Sequence, residues 1–412
     1  MERQYIVIDD DNLQSRFKSQ SDDKEKVDFE KMTFIKIKEW GKKNNIPNLN
    51  RMRKAVAIQY INGILEERSK NVGCLKASNR VIKDEIVAVY ETDNVLLNVI
   101  DTNVPVWLSN LRQKGWTVVP LVEVCEMENY VNQFFEWYTS CCPEFDRTDL
   151  SQINNQLGNN HGIIKNYFGH TEFQWKLREL CVSYFSKIHE VKEEDLVCSY
   201  DGGSILIKSE KDKSYSHWFH TDQGRAYPTL KCNVNENEKH LCVQGVVNFR
   251  ECSTHDGGLV LIEEEECGVL WTEYMASHPS YGMTWGSVDF EDPIFRNKRI
   301  IKICAQAGSL ILFDSRMFHC NIKPTSDNFR MCIYVSMQPR TKCNNKELKK
   351  KIKLYEEGRM TGHWCYGSYF NATPQHPRKY AADSDVLIQP DTIQIASCEN
   401  NTLRRRLIGY DN

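Results

Sequence analysis

Apolar and polar residues follow a helical period near both ends of the chain and a strand period between them. From Phe29 to about Glu67, Phe34, Ile37 and Trp40 are spaced for one helical face and Val56, Tyr60 and Ile64 for another, either side of the turn NNIPNLN. That pattern predicts a small helical hairpin. The β-branched run DEIVAVYE suits a strand. Farther on, WTVVPLV predicts a strand and EVCEMENYVNQFFEWYTSC a helix, in which Met127, Tyr130, Val131, Phe134, Phe135 and Tyr138 form a wide apolar stripe. A second long helix is predicted from Glu172 to Ile188. The runs HWFHTDQ, HLCVQGVVNF, GGLVLIE, RIIKICA, GSLILFD and FRMCIYVSM follow, each short, β-rich and bounded by Gly, Asn, Asp or Pro. Such spacing indicates a sandwich, jelly roll or barrel rather than a parallel sheet. Beyond Met337 the helical pattern returns at NKELKKKIKLYEEGR, and the chain is then irregular up to the basic finish LRRRLIGYDN. The fold class is therefore α+β, divided into a polar tail (1–26), a helical hairpin (27–70), a connector (71–104), a main domain (105–385) and a C-terminal extension (386–412).

Composition narrows the function classes. With 412 residues, 41% hydrophobic, 26% charged and a net charge of -3, the chain has neither the basic excess of a nucleic-acid coat nor the apolar length of a membrane protein. The N-terminus MERQYIVIDDDN reaches three acids in a row without an apolar leader core, so an intracellular location, cytoplasmic or nuclear, is expected. Sixteen cysteines are scattered with no Cys-x-x-Cys pair, which predicts reduced, buried thiols. The adjacent Cys141 and Cys142 do not supply a structural zinc site.

Charge is uneven in one place. Between Lys31 and Lys54, eight Lys and Arg face Glu39 alone, a local charge of +7. The segment KIKEWGKKNNIPNLNRMRKAVAIQYI resembles the helix, extended turn, helix modules of the SAP and Rho-N-terminal kind, which implies nucleic acid as a partner, with Lys42, Lys43, Arg51 and Arg53 as the contacts. Such a cluster gains affinity by releasing phosphate counterions, without reading sequence. A solvated basic helix face is the alternative.

The chemistry concentrates downstream. His220 and Asp222 in HWFHTDQ stand two apart on a predicted strand and so point to one face, as two ligands of one metal must. Alone, that triplet is common. His319 lies 97 residues past Asp222, and Arg330 follows 11 later at the start of FRMCIYVSM, where Arg330, Cys332 and Tyr334 share a face. An inward arginine needs a carboxylate partner, and its planar fork suits one bound through both oxygens. His170 and Glu172 also form a His-x-acid pair, but they begin a helix, where positions i and i+2 diverge. Gln244 and Asn248 flank Val246 on one strand face, which either lines a cavity or meets solvent. Lys165, Trp218, His363 and Trp364 are further pocket candidates whose ordinary roles are structural.

The segments HWFHTDQG, CVQGVVNF, HDGGLVLI, AGSLILFDSRMFHCNIKPTSDNFRMCIYVSMQPR and GRMTGHW resemble the phytanoyl-CoA dioxygenase-like family of Fe(II)- and 2-oxoglutarate-dependent oxygenases, over a region from about Gly115 onward. The resemblance implies a double-stranded β-helix (a jelly roll, cupin-like) with flanking helices. It implies His220, Asp222 and His319 as the catalytic metal ligands, Arg330 as the 2-oxoglutarate anchor and Asn321 as a cosubstrate neighbour. Gln244, Asn248 and Lys165 join these as cosubstrate-side candidates. The implied reaction consumes dioxygen and 2-oxoglutarate, releases succinate and carbon dioxide, hydroxylates an unidentified substrate and draws on ascorbate as reductant. Asp222 sets the chain apart from related halogenases, in which a small residue takes that place. Glu263, Glu264, Glu265 and Glu266 replace the family's Gly-Ser-His turn and predict a differently charged rim. The rival reading is a nucleic-acid-binding protein that uses the oxygenase fold as a scaffold.

Overall fold

The computed structural model describes residues 5–6, 32–43, 54, 58, 61, 86–90, 104–143, 145–150, 163–164, 168–208, 219–224, 242–279, 281, 286–289, 292–367, 370, 372 and 395–411. The chain divides into two units, one of Met1–Ile6, Ile86–Ser277 and Gly282–Asn412, the other of Val7–Glu85 and His278–Tyr281. In the second, helix α1 (Phe34–Lys43) buries Ile37 and leaves Ile35 exposed, and the helical Ile58 and Ile61 are buried too. The side chains of Trp40, Val56, Tyr60 and Ile64 lie outside the described residues.

The larger unit is built on two seven-stranded sheets. Its strands are β1 (Tyr5–Ile6), β2 (Ile86–Tyr90), β3 (Trp116–Pro120), β4 (Ile163–Ile164), β5 (Leu196–Cys198), β6 (Gly203–Leu206), β7 (His220–Thr221), β8 (Val243–Asn248), β9 (Gly258–Ile262), β10 (Gly286–Ser287), β11 (Ile300–Cys304), β12 (Ser309–Asp314), β13 (His319–Ile322) and β14 (Arg330–Pro339). The first sheet runs β1-β2-β11-β9-β13-β7-β10. The second runs β3-β12-β8-β14-β6-β4, with β5 beside β14. From β6 to β9 successive strands alternate between the sheets, and from β11 to β14 they do so again. Among the described strands only β2 and β11 pair in parallel.

Among the described residues of this unit are the helices α2 (Val106–Lys114), α3 (Val124–Cys141), α4 (Glu172–His189), α5 (Val269–Ser277), α6 (Asn345–Glu356) and α7 (Thr402–Ile408). The apolar stripe predicted for α3 is its buried face, Met127, Val131, Phe134, Phe135 and Tyr138. It packs in one cluster with Phe173, Leu177, Cys181 and Phe185 of α4 and with Met331, Ile333 and Val335 of β14. Strand parity then sends the alternate residues the other way. Cys332 and Tyr334 of β14, Val246 of β8 and Phe313 of β12 meet Leu259, Leu261, Ile301 and Ile303 of the first sheet. The larger unit is thus layered as helices, second sheet, first sheet, with an apolar cluster between the sheets.

Two segments read from sequence as tail and connector carry strands of this unit. Tyr5–Ile6 pairs with β2, and β2 itself runs beside β11. The IVAVY run buries Ile86 and Val89, which only a sheet of the main unit can cover. The C-terminal stretch, expected to be irregular up to its basic finish, closes with α7. Its Leu407 and Ile408 are fully buried, and Arg404 is held between Glu172 and Glu179 of α4 at 2.8 and 2.6 Å. Among the described residues every cysteine is free and most are buried. No helix among them is long and apolar enough to cross a membrane.

At Gly115 the chain turns from α2 into β3 with φ of 79°, and a Cβ there would stand 2.4 Å from Met317 Sδ. Glycine alone fits both the angle and the space. The turn starts β3 on its course beside β12 and packs against Met317, two residues before His319.

Candidate metal centre

His220 and His319 are cross-strand partners. β7 is only two residues long, flanked by β13 on one side and β10 on the other, and its His220 faces His319 directly. The rings lie 4.2 Å apart between centroids at 48°. Asp222 follows two residues after His220, and the three ligand atoms fall within 4.8 Å of one another, all three residues buried. His319 Nε2 is 3.3 Å from Asp222 Oδ2, and His220 Nε2 is 3.7 Å from Oδ1.

His319 and Asp222 are each oriented from behind. His319 Nδ1 lies 3.0 Å from the Met317 carbonyl oxygen, an arrangement that makes Nδ1 the donor and leaves the Nε2 lone pair for a metal. Asp222 donates its backbone N–H to Ser315 O at 3.2 Å, and Trp364 Nε1 donates to its carbonyl at 3.2 Å. Gln244 Nε2 donates to Asp222 Oδ2 at 2.9 Å. Burial alone would raise the Asp222 carboxyl, but the imidazoles of His363, His319 and His220 outweigh it and hold it well below the usual carboxylate range. Two imidazoles and one ionised carboxylate on one side of a cavity are the donor set of a facial triad.

The cavity beside the triad measures about 40 Å³. Gln244, Asn321, Tyr334 and His363 supply its remaining polar wall, and Val246, Leu259 and Phe313 its apolar one. Arg330 lies on the Tyr334 face of β14, 3% exposed, with the Tyr334 hydroxyl among its polar neighbours. Among the described residues none of its Nε, Nη1 and Nη2 makes a hydrogen bond of ordinary geometry or meets a carboxylate. Asn321 Nδ2 reaches the Tyr334 hydroxyl at 3.5 Å while its Oδ1 lacks a partner, and Asn248 Nδ2, one row from Arg330 opposite Cys332, lacks one too. Unpaired donors buried together are costly. A bound carboxylate would satisfy the arginine, which shares a strand face with the cavity-lining Tyr334 but is not itself part of the cavity lining.

Several known proteins share features with this chain. No family model matches it, so the phytanoyl-CoA dioxygenase-like resemblance rests on the motifs alone. A curated relative, "Ava biosynthesis cluster protein O" of Aspergillus versicolor, is 26% identical over 275 residues, spanning 61% of this chain and 82% of its own. Among solved structures, the epimerase SnoN in complex with Fe3+, alpha ketoglutarate and nogalamycin RO aligns over 57% of this chain and 82% of its own, at 12% identity and a TM-score of 0.38. The non-heme alpha ketoglutarate dependent carbocyclase SnoK aligns over 58% and 84%, at 13% identity and a TM-score of 0.34. A hypothetical protein, JW0805 from Escherichia coli, aligns over 85% and 92%, at 11% identity and a TM-score of 0.49.

The other expected site residues fall differently. Lys165, Trp218, Arg51 and Arg53, and the side chains of Lys42 and Lys43, lie outside the described residues. Nothing among the described residues supports a nucleic-acid contact. Gln244 and Asn248 are buried between the sheets rather than solvent-facing, and Gln244 touches the metal-side carboxylate itself. His170 is a fully buried core residue against Tyr200 and 2.9 Å from Arg359 O, its pKa pushed down to about 3 chiefly by burial. Its neighbour Glu172 serves Arg404 instead. The acidic run is not uniformly a rim. Glu263 pairs with Arg299 at 2.8 Å, but Glu264 turns inward and accepts the Leu270 N–H at the start of α5, and burial lifts its pKa to about 7.

Asp201, whose Oδ2 lies against His363 Nδ1, carries no site signal in the sequence. In CSYDGG it has the look of a turn acid, and no spacing rule connects it to a histidine 162 residues later.

Proposed function

We propose that this protein is an Fe(II)- and 2-oxoglutarate-dependent oxygenase built on a double-stranded β-helix, which hydroxylates a substrate while converting 2-oxoglutarate to succinate and carbon dioxide. The observation that carries this reading is Arg330: a buried guanidinium with three unpaired nitrogens, on the face of β14 whose Tyr334 lines the cavity of a His-Asp-His cluster. A scaffold has no use for that combination. The strand order supports the fold assignment, since β6-β14-β8-β12 and β7-β13-β9-β11 are two four-stranded antiparallel layers connected alternately.

His220, Asp222 and His319 would hold the iron, and Arg330 the distal carboxylate of 2-oxoglutarate. When bound, the metal supplies dioxygen activation coupled to oxidative decarboxylation of the cosubstrate. The chain's own residues bind and orient. His319 presents Nε2 because Met317 holds Nδ1, Gln244 restrains Asp222, and Val246, Leu259 and Phe313 keep water from the cavity. An intact Asp222 favours hydroxylation over halogenation. The main domain at 105–385 carries the reaction in this reading, with the strands near residues 5 and 88 and the C-terminal helix as additions.

The test is formation of succinate from 2-oxoglutarate by the purified full-length chain with Fe(II), ascorbate and a panel of candidate substrates. Turnover is expected in the parent and not in Asp222→Ala or Arg330→Met. A metal-loaded parent that neither binds nor consumes 2-oxoglutarate would remove the assignment.

A further inference from the structure

His363 stands at the edge of the metal cluster with its two ring nitrogens facing two different carboxylates. Nδ1 lies against Asp201 Oδ2, and Nε2 lies 3.6 Å from Asp222 Oδ2. Asp201 has no freedom to follow the ring. Its side chain is 1% exposed, its Oδ1 accepts the Gly202 N–H at 2.8 Å, and its carbonyl accepts from Gln174 Nε2 at 3.0 Å and Arg178 Nη2 at 2.9 Å. The ring follows the acid instead, and Tyr334 meets it edge-on at 5.9 Å and 87°. Asp222 Oδ1 faces His220 and Oδ2 faces His319 Nε2 at 3.3 Å, and Oδ2 is also held from outside the triad by Gln244 and approached by His363.

A ligand carboxylate that rotates freely about its Cβ–Cγ bond can present one oxygen or two to a metal, and each choice leaves a different number of open positions. We propose that Asp201 and His363, together with Gln244, are positioning residues that fix the rotation of the Asp222 carboxylate against the two imidazoles of the triad. This rests on the metal-centre reading above. The consequence is a donor arrangement set in advance by residues that would not themselves be ligands.

Co(II) serves as the probe, titrated by calorimetry into metal-free full-length protein and followed by its visible absorption. His363→Ala and Asp201→Asn are each expected to weaken Co(II) binding by roughly 10–100-fold and to change the absorption envelope. The double variant should lose no more than His363→Ala, because Asp201 acts through the ring. His363→Gln, which keeps a polar end beside Asp222, should recover part of the affinity. Parent-like affinity and spectrum in a folded His363→Ala variant would overturn the proposal. So would additive losses in the double variant, or no recovery with Gln, which would give the ring a packing role. Failure of the parent to bind Co(II), or equal binding by His220→Ala, would instead bring down the metal-centre reading and the proposal with it.

Discussion

His220 and His319 sit directly opposite each other across the antiparallel pair β7 and β13, 99 positions apart in sequence yet 4.2 Å apart between ring centroids. One register therefore decides whether the site exists. A slip of one residue would turn either imidazole to the other face of the sheet. Fe(II) with 2-oxoglutarate is accordingly expected to raise the melting temperature, by an amount that grows with ligand concentration. Asp222→Ala should abolish the shift, as read by differential scanning fluorimetry under anaerobic conditions.

Arg330→Met separates the cosubstrate wall from the metal. The guanidinium is buried without hydrogen-bond partners, so the ligand-free variant should be as stable as the parent or more so. Its affinity for Co(II) should hold, while that for 2-oxoglutarate falls by about 1.5–3 kcal/mol or more, the worth of a charged hydrogen-bonded contact. Parallel calorimetric titrations with metal and with cosubstrate distinguish the two.

Two buried groups give stability opposite slopes with pH. His170 has its pKa depressed to about 3, so its contribution is complete above the unfolded value near 6.5 and is lost as pH falls from there toward 3. Glu264 is raised to about 7, so its contribution is complete below the unfolded value near 4.5 and is lost as pH rises through 7. Urea titrations at pH 5 and pH 8 should show Glu264→Gln gaining relative to the parent at pH 8, on the order of 2–3 kcal/mol. A gain of the same size at pH 5 would refute the assignment.

Arg404 pins the C-terminal helix. It is 4% exposed and meets Glu172 and Glu179, so Arg404→Ala leaves two acids facing a vacated site on α4. A loss of roughly 3 kcal/mol is expected, with faster hydrogen exchange across 395–411. Metal affinity should change little, since no residue of that stretch lines the cavity.

Much of the site could be read in advance because a strand has a period of two. His220 with Asp222, and Arg330 with Tyr334, are pairs that this period puts on one face. The sidedness of Gln244 and Asn248 was not decidable that way. β8 is buried on both faces, so its alternation separates two interiors rather than inside from outside. His363 was visible only as a polar residue beside Trp364, since it sits in an irregular segment with no periodicity to aim it. The inward turn of Glu264 was hidden for a related reason: four consecutive acids look like solvent, and only the first turn of α5 explains why one of them is needed inside. The helices were the most legible elements, as the apolar stripe of α3 is long enough to average out local exceptions.

The parallel pairing of β2 with β11 has a consequence for synthesis. Residues 86–90 leave the ribosome more than 200 residues before their partner at 300–304 exists. At ordinary elongation rates of about 5–20 residues per second that interval is roughly 10–40 s. For that time IVAVY, five apolar residues with high β propensity, is a strand without its sheet and a ready template for neighbouring nascent chains. The first sheet can be completed at this edge only once residues 300–304 have been made, so the yield of soluble protein should depend on what shields this short segment while the chain is still growing.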